Sequence, residues 1–551
     1  MCGILGGNYG KWNYEKALQS LQHRGPDGQR LIKASKSFIM GFARLAIIDL
    51  SENAMQPMTD SSGNITITFN GEIYDYSLLR NQLLNKGYIF HSKSDTEVLL
   101  YAYCEWNDSF IEHIDGMFSI AIFDRRSNQV KLFRDRPGIK PLYWYYDGVH
   151  FAYASELKGI VNLMDKADLE VDTTALYDYY NYLYIPEPKT IYKNVYKLEA
   201  AHKLVFDLKD NRIVEKKTYW NLKVNDLEGD KGPTEDDYEA IRSYISSSVK
   251  SQMIADVPVG GFLSGGIDSS ILSVEALKIN PLFQTFSIGF YDFEANELPY
   301  VECLEKAIGF KSKKYLVKKN EFNYLYLEMK KWFDEPFSDT SGYPTYIVSD
   351  LAKTECTVAL SGDGGDEVFG GYTRYARYLD LLKKENPDKK KEFEFFWNSY
   401  LFDTKIDRQE LRLQLNIPAD YDDYWFYRKY YRDDLPPITR MQYMDFHTYL
   451  PCDVLTKTDR VSMAVSLETR VPLLSKDIIE YSFSLTQSKR CPANELKGLI
   501  KQAYTGAIPH NLLYRRKWGF GIPNNFFGYG NIPQECLEKD VFQYGTYQVF
   551  A

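Results

Sequence analysis

The chain has 551 residues, enough material for about three or four domains. Hydrophobic residues make up 44% and charged residues 26%, proportions that are typical of a globular protein and exclude a disordered or fibrous chain. The 75 acidic and 66 basic side chains give a formal charge of -9, so neither nucleic acid nor an anionic membrane surface is an expected partner.

The sequence contains no recognisable secretory signal or membrane span. The N-terminus lacks a basic region followed by an apolar core, and no window approaches the roughly 18 consecutive apolar residues that a membrane helix needs. The seven cysteines are scattered without a C-x-x-C pair, which favours free thiols over zinc sites or disulfides. These features predict a cytoplasmic protein.

Three stretches of different character follow one another along the chain. Residues 1–206 contain short alternating runs such as NITITFNGEIY and FSIAIFD, which predict strands with a few helices between them. Residues 207–237 lose this periodicity and gain charge, Gly and Pro, as a linker does. In residues 238–551, helical patterns such as YEAIRSYISSSVKSQM alternate with apolar runs such as VPVGGFLS, which indicates βαβ units around a parallel sheet. The sequence therefore predicts an α/β protein of two domains joined by a linker.

Cys2 directly follows the initiator Met1, and its small side chain favours removal of that methionine. Cys2 would then carry a free α-amino group beside its thiol. Such an amine has a pKa of about 7.7–8.0 and a thiol one of about 8.5, so the amine can accept the thiol proton without a histidine. The position predicts a nucleophile that carries its own base, although a cysteine at position 2 also occurs by chance.

Five segments downstream of Cys2 strengthen the interpretation of this cysteine as a nucleophile. They are HRGPDG at 23–28, RLAIID at 44–49, FNGEIY at 69–74, SDTE at 94–97 and RDRPGIKPLY at 134–143. In this order the segments resemble those of the class II glutamine amidotransferase domain. The resemblance implies that residues 1–206 form an N-terminal-nucleophile fold, an αββα sandwich of two sheets between helices, which hydrolyses glutamine to glutamate and ammonia.

The resemblance also implies a role for each residue of the glutamine site. Cys2 would attack the side-chain amide, while the Asn70 side chain and the Gly71 backbone N–H would stabilise the oxyanion. The implied glutamine-binding residues are Arg44 for the α-carboxylate, Glu72 and Asp95 for the α-ammonium, and Ile47, Ile48, Asn70 and Gly71 for the other contacts. By itself, an Asn-Gly pair between strand residues favours a hairpin turn, and this alternative stays open here.

A second candidate site begins at Ser264. The run SGGIDSS at 264–270 follows the apolar run VPVGGFL and opens the helical pattern SILSVEALK. A glycine-rich turn at a helix N-terminus offers backbone N–H groups and the positive end of the helix dipole to a phosphate. The run lacks the Gly-Lys-Ser/Thr of a Walker A loop, which favours cleavage between the α- and β-phosphates of ATP. The alternative is a glycine turn at a helix cap that binds no ligand.

Further segments extend the resemblance to nearly the whole chain. LSGDGGDEVFGGY at 360–372, TDRVSMAVSLETRVPLL at 458–474 and RRKWGFGIP at 515–523 are similar to segments of the glutamine-hydrolysing asparagine synthetase family. The resemblance implies that residues 238–551 form an ATP pyrophosphatase domain, a parallel-sheet fold of the adenine nucleotide α-hydrolase type with added helices. The implied ATP-binding residues are Leu263, Ser264, Gly265, Gly266, Asp268, Ser269, Ser270, Ile288, Ser361 and Gly362.

The same resemblance assigns the catalytic groups of the second domain. Asp268 and Asp366 would bind Mg²⁺ together with phosphate oxygens. Lys517 would stabilise the charge that develops at the α-phosphate, whereas on its own it would be interpreted as a surface lysine. Asp363 stands at the acidic position tied to the acyl-adenylate, where well-studied aspartate-using members carry glutamate, and would manage the amine proton.

The reaction expected from the whole chain is ATP-dependent amide synthesis. Glutamine hydrolysis at Cys2 would supply ammonia through an enclosed channel to a carboxylate activated as acyl-AMP. Aspartate is the expected acceptor. A sugar uronic acid or an antibiotic precursor is the alternative, because Thr340 stands where aspartate-specific members carry an arginine. These small molecules are the expected partners, and the sequence leaves a homodimer open.

Three other functions agree less well with the sequence. A plain glutaminase would not need the loop at 264–270, and a non-catalytic scaffold would be expected to lose the nucleophile, the loop or Lys517. A tRNA-modifying ATP pyrophosphatase would share the loop but not the glutaminase half, and the acidic net charge opposes it.

Overall fold

The structure is a computed structural model, and it describes residues 1–164, 169–225, 227, 231–291, 296–318, 325, 328–329, 331–385, 392–400 and 407–515. The RRKWGFGIP segment lies outside these residues from its second position onward. The role predicted for Lys517 therefore stays a prediction.

Two antiparallel sheets form the N-terminal half. Their strands are β1 (Gly3–Gly7), β2 (Gly28–Ser35), β3 (Phe38–Arg44), β4 (Met58–Thr59), β5 (Ile65–Ile73), β6 (Gly116–Asp124), β7 (Gln129–Arg134), β8 (Tyr143–Tyr146), β9 (Phe151–Ala154), β10 (Val195–Lys197), β11 (His202–Asp207) and β12 (Arg212–Thr218). The first sheet has the order β10-β8-β9-β1-β3-β2, and the second has the order β12-β11-β7-β6-β5-β4. The alternating runs form strands as predicted, and β1 lies inside the first sheet.

The two sheets stack face to face, and helices cover their outer faces. Apolar side chains from both sheets share one core, in which the rings of Phe38 and Phe123 lie 6.1 Å apart and those of Phe151 and Phe206 lie 4.3 Å apart. Five helices pack against the outer faces: α1 (Tyr14–Gln19), α2 (Tyr76–Asn85), α3 (Asp95–Trp106), α4 (Leu157–Leu163) and α5 (Thr173–Tyr182). α2 and α3 cover the second sheet and the other three cover the first. This is the predicted αββα sandwich.

The first part of the predicted linker belongs to the sandwich. β12 pairs with β11 in antiparallel fashion, so residues 212–218 form the edge strand of the second sheet and are not a linker. Most side chains of this strand are exposed, and its sequence RIVEKKT is largely charged. Edge strands often carry such charges, and their composition then resembles that of a linker. The other predicted boundary, at residues 237 and 238, stays a prediction.

A five-stranded parallel sheet forms the centre of the C-terminal half. Its strands are β13 (Val259–Phe262), β14 (Gln284–Phe290), β15 (Ser312–Val317), β16 (Val358–Leu360) and β17 (Glu468–Arg470), and every neighbouring pair is parallel. Their order is β15-β14-β13-β16-β17. The chain leaves β13 toward β14 on one side and returns later to β16 on the other. The carboxyl ends of β13 and β16 therefore flank a topological switch point, where open α/β sheets bind their ligands.

The described helices of the C-terminal half pack on the parallel sheet or on one another. They are α6 (Glu235–Gln252), α7 (Ile267–Ile279), α8 (Leu298–Ile308), α9 (Gly342–Lys353), α10 (Gly365–Phe369), α11 (Thr373–Glu385), α12 (Glu392–Tyr400), α13 (Arg408–Gln414), α14 (Trp425–Arg428), α15 (Pro437–His447), α16 (Leu455–Met463), α17 (Lys476–Ser484), α18 (Gln487–Arg490), α19 (Gly498–Ala503) and α20 (His510–Leu513). Leu360 and Ala359, neighbours on β16, point into different apolar cores, which confirms the predicted α/β arrangement. Within the described ranges, no helix has both the length and the apolar character needed to cross a lipid bilayer.

Candidate active site

Cys2 directly precedes β1 and is held by two neighbouring segments. Its backbone N–H donates to Asn70 Oδ1 at 2.9 Å, and its Sγ lies 3.7 Å from the Leu45 carbonyl oxygen. Burial raises the pKa of the Cys2 thiol, and the nearby N-terminal ammonium opposes this rise. The predicted nucleophile is therefore buried and anchored by β5 and by the segment that follows β3.

Asn70 and Gly71 lie within β5 and pair with β6, so the hairpin-turn alternative is wrong. Only glycine fits at position 71, because a Cβ there would lie 1.9 Å from the Met117 carbonyl oxygen. Asn70 Oδ1 accepts from Cys2, whereas Asn70 Nδ2 is buried and has no hydrogen-bond partner among the residues that the structure describes. Buried polar groups are normally paired. An unpaired donor beside a thiol is therefore suited to receive an oxyanion.

A small cavity of about 40 Å³ adjoins Cys2. It is lined by the residues predicted to bind glutamine, with the exception of Asn70: Arg44, Ile47, Ile48, Gly71, Glu72 and Asp95. Arg44 ends β3, and Asp95 begins α3, so separate elements bring the two sides of the pocket together. Arg44 Nη2 donates to the Asp49 carbonyl oxygen at 2.6 Å. The cavity is much smaller than the roughly 300–1,000 Å³ of common ligand pockets.

Met1 is buried and forms part of the wall of this cavity. Its N-terminal ammonium pairs with Glu468 Oε2 at 2.8 Å. Burial disfavours the charge of Glu468, but the ammonium and Arg470 outweigh this effect and lower the pKa of the carboxyl to about 2. Removal of Met1 stays a prediction. It would enlarge the cavity and leave Cys2 as the terminal residue.

Two acidic residues of the pocket are protonated more easily than usual. Burial and the neighbouring charge of Asp95 raise the pKa of Glu72 well above its usual range, even though Arg470 Nη2 lies 3.0 Å from Glu72 Oε2. Burial also raises the pKa of Asp95 to about 6, although the Ile73 backbone N–H donates to its carboxylate at 3.1 Å. A ligand ammonium between these groups would favour their charged forms.

Glu468 and Arg470 belong to the C-terminal half, and the sequence analysis did not identify them. Both lie on β17, where Arg470 Nε donates to Glu468 Oε1 at 2.7 Å. The segment SLETRVPLL contains both residues, but its pattern does not show that an edge strand of the parallel sheet reaches the glutamine pocket. Only the packing of the two halves brings Arg470 to Glu72 across a separation of 398 residues.

The predicted phosphate loop connects β13 to α7, and Gly266 is the N-cap of that helix. The Ser264 backbone N–H donates to Ser269 Oγ at 3.2 Å, and the Gly266 N–H donates to Ser264 Oγ at 3.2 Å. Gly265 has a φ of +70°, and a Cβ at this position would lie 2.7 Å from Tyr300 Cβ. The turn therefore requires glycine. Strand, turn and helix N-terminus follow one another as predicted.

A cavity of about 680 Å³ lies over this loop at the switch point. Its wall contains most residues predicted for ATP and metal, namely Leu263, Ser264, Gly266, Asp268, Ser269, Ile288, Ser361, Gly362 and Asp366, together with Asp363. Gly265 and Ser270 do not line it, because Gly265 packs against Tyr300 and Ser270 is fully buried. The volume lies within the range of cavities that bind ligands of nucleotide size.

Asp268 and Asp366 converge on Lys497, which the sequence analysis did not identify. The Lys497 ammonium pairs with Asp268 and lies 2.6 Å from Asp366 Oδ1. Burial disfavours the charge of Lys497, but the two carboxylates outweigh this effect and raise its pKa. Within the described ranges, no group of three or more His, Cys, Asp or Glu side chains could hold a metal. Two carboxylates this close fit Mg²⁺ if phosphate oxygens supply further ligands.

Asp363 follows β16 and faces the same cavity. Ser361 Oγ donates to Asp363 Oδ2 at 2.7 Å, and Thr458 Oγ1 donates to the same oxygen at 2.8 Å. Lys457, the residue before Thr458, also lines the cavity and donates to Ser341 Oγ at 3.0 Å. Asp363 belongs to the predicted site, whereas Lys457 does not, because a lysine within a helical pattern gives no signal of its own.

α16 connects the two candidate sites. Thr458 on this helix contacts Asp363, while the next residue, Asp459, accepts from both Nη atoms of Arg24 at 2.7 and 3.1 Å. Arg24 Nε donates in turn to the Cys2 carbonyl oxygen at 3.1 Å. Arg24 and Asp459 are buried. A continuous set of buried contacts thus links the nucleophile to the acidic residue of the second cavity.

Both halves of the chain match known families. The model of the asparagine synthase family matches residues 240–541, and that of the glutamine amidotransferase domain matches residues 1–220. The chain is 34% identical over 539 residues to glutamine-hydrolysing asparagine synthetase 1 of Bacillus subtilis (strain 168), over 92% of this chain and 83% of that protein. Synthetase 3 of the same organism is 28% identical, over 94% of this chain and 86% of that protein. Amidase chry2 of Gibberella zeae is 26% identical, over 95% and 87% respectively.

Proposed function

The chain belongs to the asparagine synthase family of ATP-dependent, glutamine-hydrolysing ligases, and we propose that aspartate is the carboxylate that it amidates. The reaction would convert aspartate, glutamine, ATP and water to asparagine, glutamate, AMP and diphosphate. One observation carries the proposal: a buried N-terminal cysteine site and a nucleotide-sized cavity occur in one chain and are joined through α16.

In the glutaminase half, Cys2 would attack the glutamine amide after removal of Met1. Burial raises the pKa of its thiol, so the thiol needs a base, and the free α-amine of Cys2 would accept the proton. The buried Asn70 Nδ2 and the Gly71 N–H would donate to the oxyanion. The C–N bond of the tetrahedral intermediate would then break, and the nitrogen would take the proton held by the α-amine and leave as ammonia. Water would hydrolyse the remaining thioester to glutamate and restore the thiol.

The pocket beside Cys2 would orient glutamine by its α-substituents. Arg44 would bind the α-carboxylate, which a guanidinium can hold through two hydrogen bonds. Glu72 and Asp95 would bind the α-ammonium, and both carboxylates line the pocket. The raised pKa of Asp95, about 6, still leaves most of this group charged at neutral pH.

In the synthetase half, ATP would bind with its pyrophosphate on the loop at 264–270 and at the N-terminus of α7. Asp268 and Asp366 would hold Mg²⁺, which fits their present sharing of the Lys497 ammonium. Bound there, the metal would offset the charge of the leaving pyrophosphate. The single positive charge of Lys497 offsets one of the two negative charges of this acidic pair.

Asp363 would take up the proton that ammonia loses as it attacks the acyl-adenylate. Hydrogen bonds from Ser361 and Thr458 hold Asp363 Oδ2 and so orient the carboxylate. Free ammonia is mostly protonated in neutral water, so an enclosed passage from Cys2 would preserve the nucleophile. Arg24 and Asp459, which lie between the two sites, are buried, so a route along them would be shielded from bulk water.

Another carboxylate is the alternative acceptor. Thr340 lines the cavity with a short neutral side chain, where an arginine was expected for aspartate. One relative is named an amidase and not an asparagine synthetase. A sugar uronic acid or an antibiotic precursor would then replace aspartate in the same reaction.

The proposal is tested by measuring AMP, asparagine and glutamate with glutamine, Mg-ATP and a panel of carboxylates that includes aspartate and glucuronate. We expect aspartate to stimulate AMP release, with one asparagine formed per AMP. AMP release with glucuronate but not with aspartate would support the alternative acceptor. Glutamine hydrolysis without AMP release for any carboxylate would contradict amide synthesis itself.

A further inference from the structure

The cavity over the phosphate loop has a second region, between the start of α9 and the helix α16. The segment that precedes α9 contributes Asp339, Thr340 and Ser341 to the wall, and α16 contributes Lys457 from the opposite side. Thr340 offers only a hydroxyl and a methyl group, so it cannot attract an anion by charge. Any anion bound in this region needs a cation from another element.

Lys457 supplies a cation at a defined position. Its Nζ donates to Ser341 Oγ at 3.0 Å and lies 3.7 Å from Asp339 Oδ2. Ser341 Oγ donates to Asp339 Oδ2 at 2.7 Å, so these three side chains support one another. The Lys457 side chain is 9% exposed, which restricts its ammonium to the cavity side. An ammonium has three N–H donors and can therefore bind a ligand oxygen in addition to Ser341.

Lys457 is also close to the expected reaction centre. The next residue, Thr458, donates to Asp363 Oδ2 at 2.8 Å. Burial disfavours the charge of Lys457, but Asp339 and Asp363 outweigh this effect and raise its pKa, so the side chain is a cation at neutral pH. A small acceptor whose reacting carboxyl lies beside Asp363 would bring its other end toward this ammonium.

We propose that Lys457 is the specificity-determining residue of the acceptor site and binds the carboxylate of the acceptor that is not amidated. The inference rests on the proposed function, because it takes this region of the cavity to hold the acceptor. The acceptor class is then a small molecule with two carboxylates.

The charge of the surrounding wall narrows this class further. Asp339 and Asp363 line the same cavity, and Lys457 is the cation that α16 adds beside them. The other cations of the wall are Lys497, Lys501 and Arg515, which pair with different acidic side chains. An ammonium on the acceptor would offset part of this negative charge. An aminodicarboxylate such as aspartate therefore fits better than a uronic acid, which has one carboxylate and no ammonium.

The test compares aspartate with β-alanine, which is aspartate without its α-carboxylate. Initial rates of AMP release are measured with ammonia as nitrogen donor, so that the chemistry of Cys2 does not enter. The variants are Lys457→Met, Lys457→Arg, Thr340→Arg and the double variant that combines Lys457→Met with Thr340→Arg. Lys278→Met is the matched control, since Lys278 is an exposed lysine that pairs with Glu275 on α7.

We expect Lys457→Met to raise the KM for aspartate about ten- to hundredfold, the effect of losing a hydrogen bond to a charged group. The KM for β-alanine and for ATP should stay within about twofold of wild type, as should all constants of Lys278→Met. Thr340→Arg should restore most of the aspartate affinity in the double variant, because position 340 adjoins Ser341, the contact of Lys457. A purely structural role for Lys457 predicts no such rescue.

The outcomes separate the two proposals. Wild type is first shown to synthesise asparagine normally. An unchanged KM for aspartate in Lys457→Met, or an equal rise of the KM for aspartate and for β-alanine, would then contradict the role of Lys457 and leave the proposed function intact. AMP release with glucuronate but none with aspartate would contradict the proposed function and the two-carboxylate class together. Glutamine hydrolysis by each preparation checks that it is folded. If Lys457→Met fails this check, the single variant Thr340→Arg provides the test. A second cation beside Lys457 should lower the KM for aspartate, and an unchanged KM would contradict the proposed position of the acceptor carboxylate.

Discussion

The two cavities of this chain place different cations beside their carboxylates. In the cavity beside Cys2, Arg470 contacts Glu72 through Nη2 at 3.0 Å. In the nucleotide cavity, Lys497 lies between Asp268 and Asp366. The first cavity measures about 40 Å³ and the second about 680 Å³.

The difference teaches how each site is used. An arginine is a planar, always charged group that holds its partners in one geometry, which would suit the small amino acid proposed to bind beside Cys2. A lysine is a point charge on a flexible stem, and a metal ion can take its place between two carboxylates. We therefore expect the first site to change little on binding and the second to exchange the Lys497 ammonium for a metal ion. If this holds, changes to the chemistry of one site should spare the other, and changes to the contacts that join them should affect both.

The largest effect is expected from Cys2→Ala. Without the thiol no thioester forms, so glutamine-dependent asparagine synthesis should fall below detection. Ammonia-dependent synthesis should remain close to wild type, since the second cavity is unchanged. Both rates are measured as AMP release, and equal loss of the two would refute the independence of the sites.

Asn70→Ala should lower the kcat of glutamine hydrolysis about 10²–10³-fold, because it removes one donor to the oxyanion. Asn70 Oδ1 also accepts from the Cys2 backbone, so an intact fold must be shown by an unchanged melting temperature. The KM for glutamine should change little in comparison. A similar decrease in ammonia-dependent AMP release would mean that Asn70 acts on the whole protein and not on its own site.

Arg24→Met is expected to weaken both sites through their shared contacts. The variant leaves the buried Asp459 without its arginine and removes the donor to the Cys2 carbonyl, so the free energy of unfolding should fall by about 3 kcal/mol. Urea denaturation measures this loss. Arg30→Met is the matched control, since its pair with Glu52 is exposed and should contribute less than about 1 kcal/mol. Equal stability of the two variants would contradict the importance of the buried connection.

The smallest effect concerns pH. Because burial raises the pKa of Asp95 to about 6, this carboxyl loses its charge as the pH falls through 6 and not only near 4. The KM for glutamine should therefore rise about tenfold between pH 7 and pH 5, while the KM for ATP changes less. Asp95→Asn should bind glutamine weakly at both values and remove most of this dependence. A wild-type KM that stays constant down to pH 5 would argue against contact between Asp95 and the ammonium.

Much of the glutamine site was predictable because its residues lie in short segments with regular spacing. Cys2, Arg44 and Asp95 belong to separate motifs, and the strands and helices around them formed as the patterns indicated. The hairpin alternative for Asn70 and Gly71 failed because local turn preference yielded to pairing of β5 with β6 along its whole length. The strand β12 was missed for a related reason, since a charged edge strand has the composition of a linker.

The amino-acid sequence was enough to predict Cys2 as the nucleophile, a phosphate loop between β13 and α7, and the reaction class, because these depend on residues that are close together in the chain. The packing of the two halves was needed to show that Glu468 and Arg470 reach the cavity beside Cys2, that Lys497 joins Asp268 to Asp366, and that α16 contacts both candidate sites. These contacts join side chains that are hundreds of residues apart. They depend on which strand ends and helix faces meet when the two halves pack. The spacing of residues within a short segment does not predict these contacts.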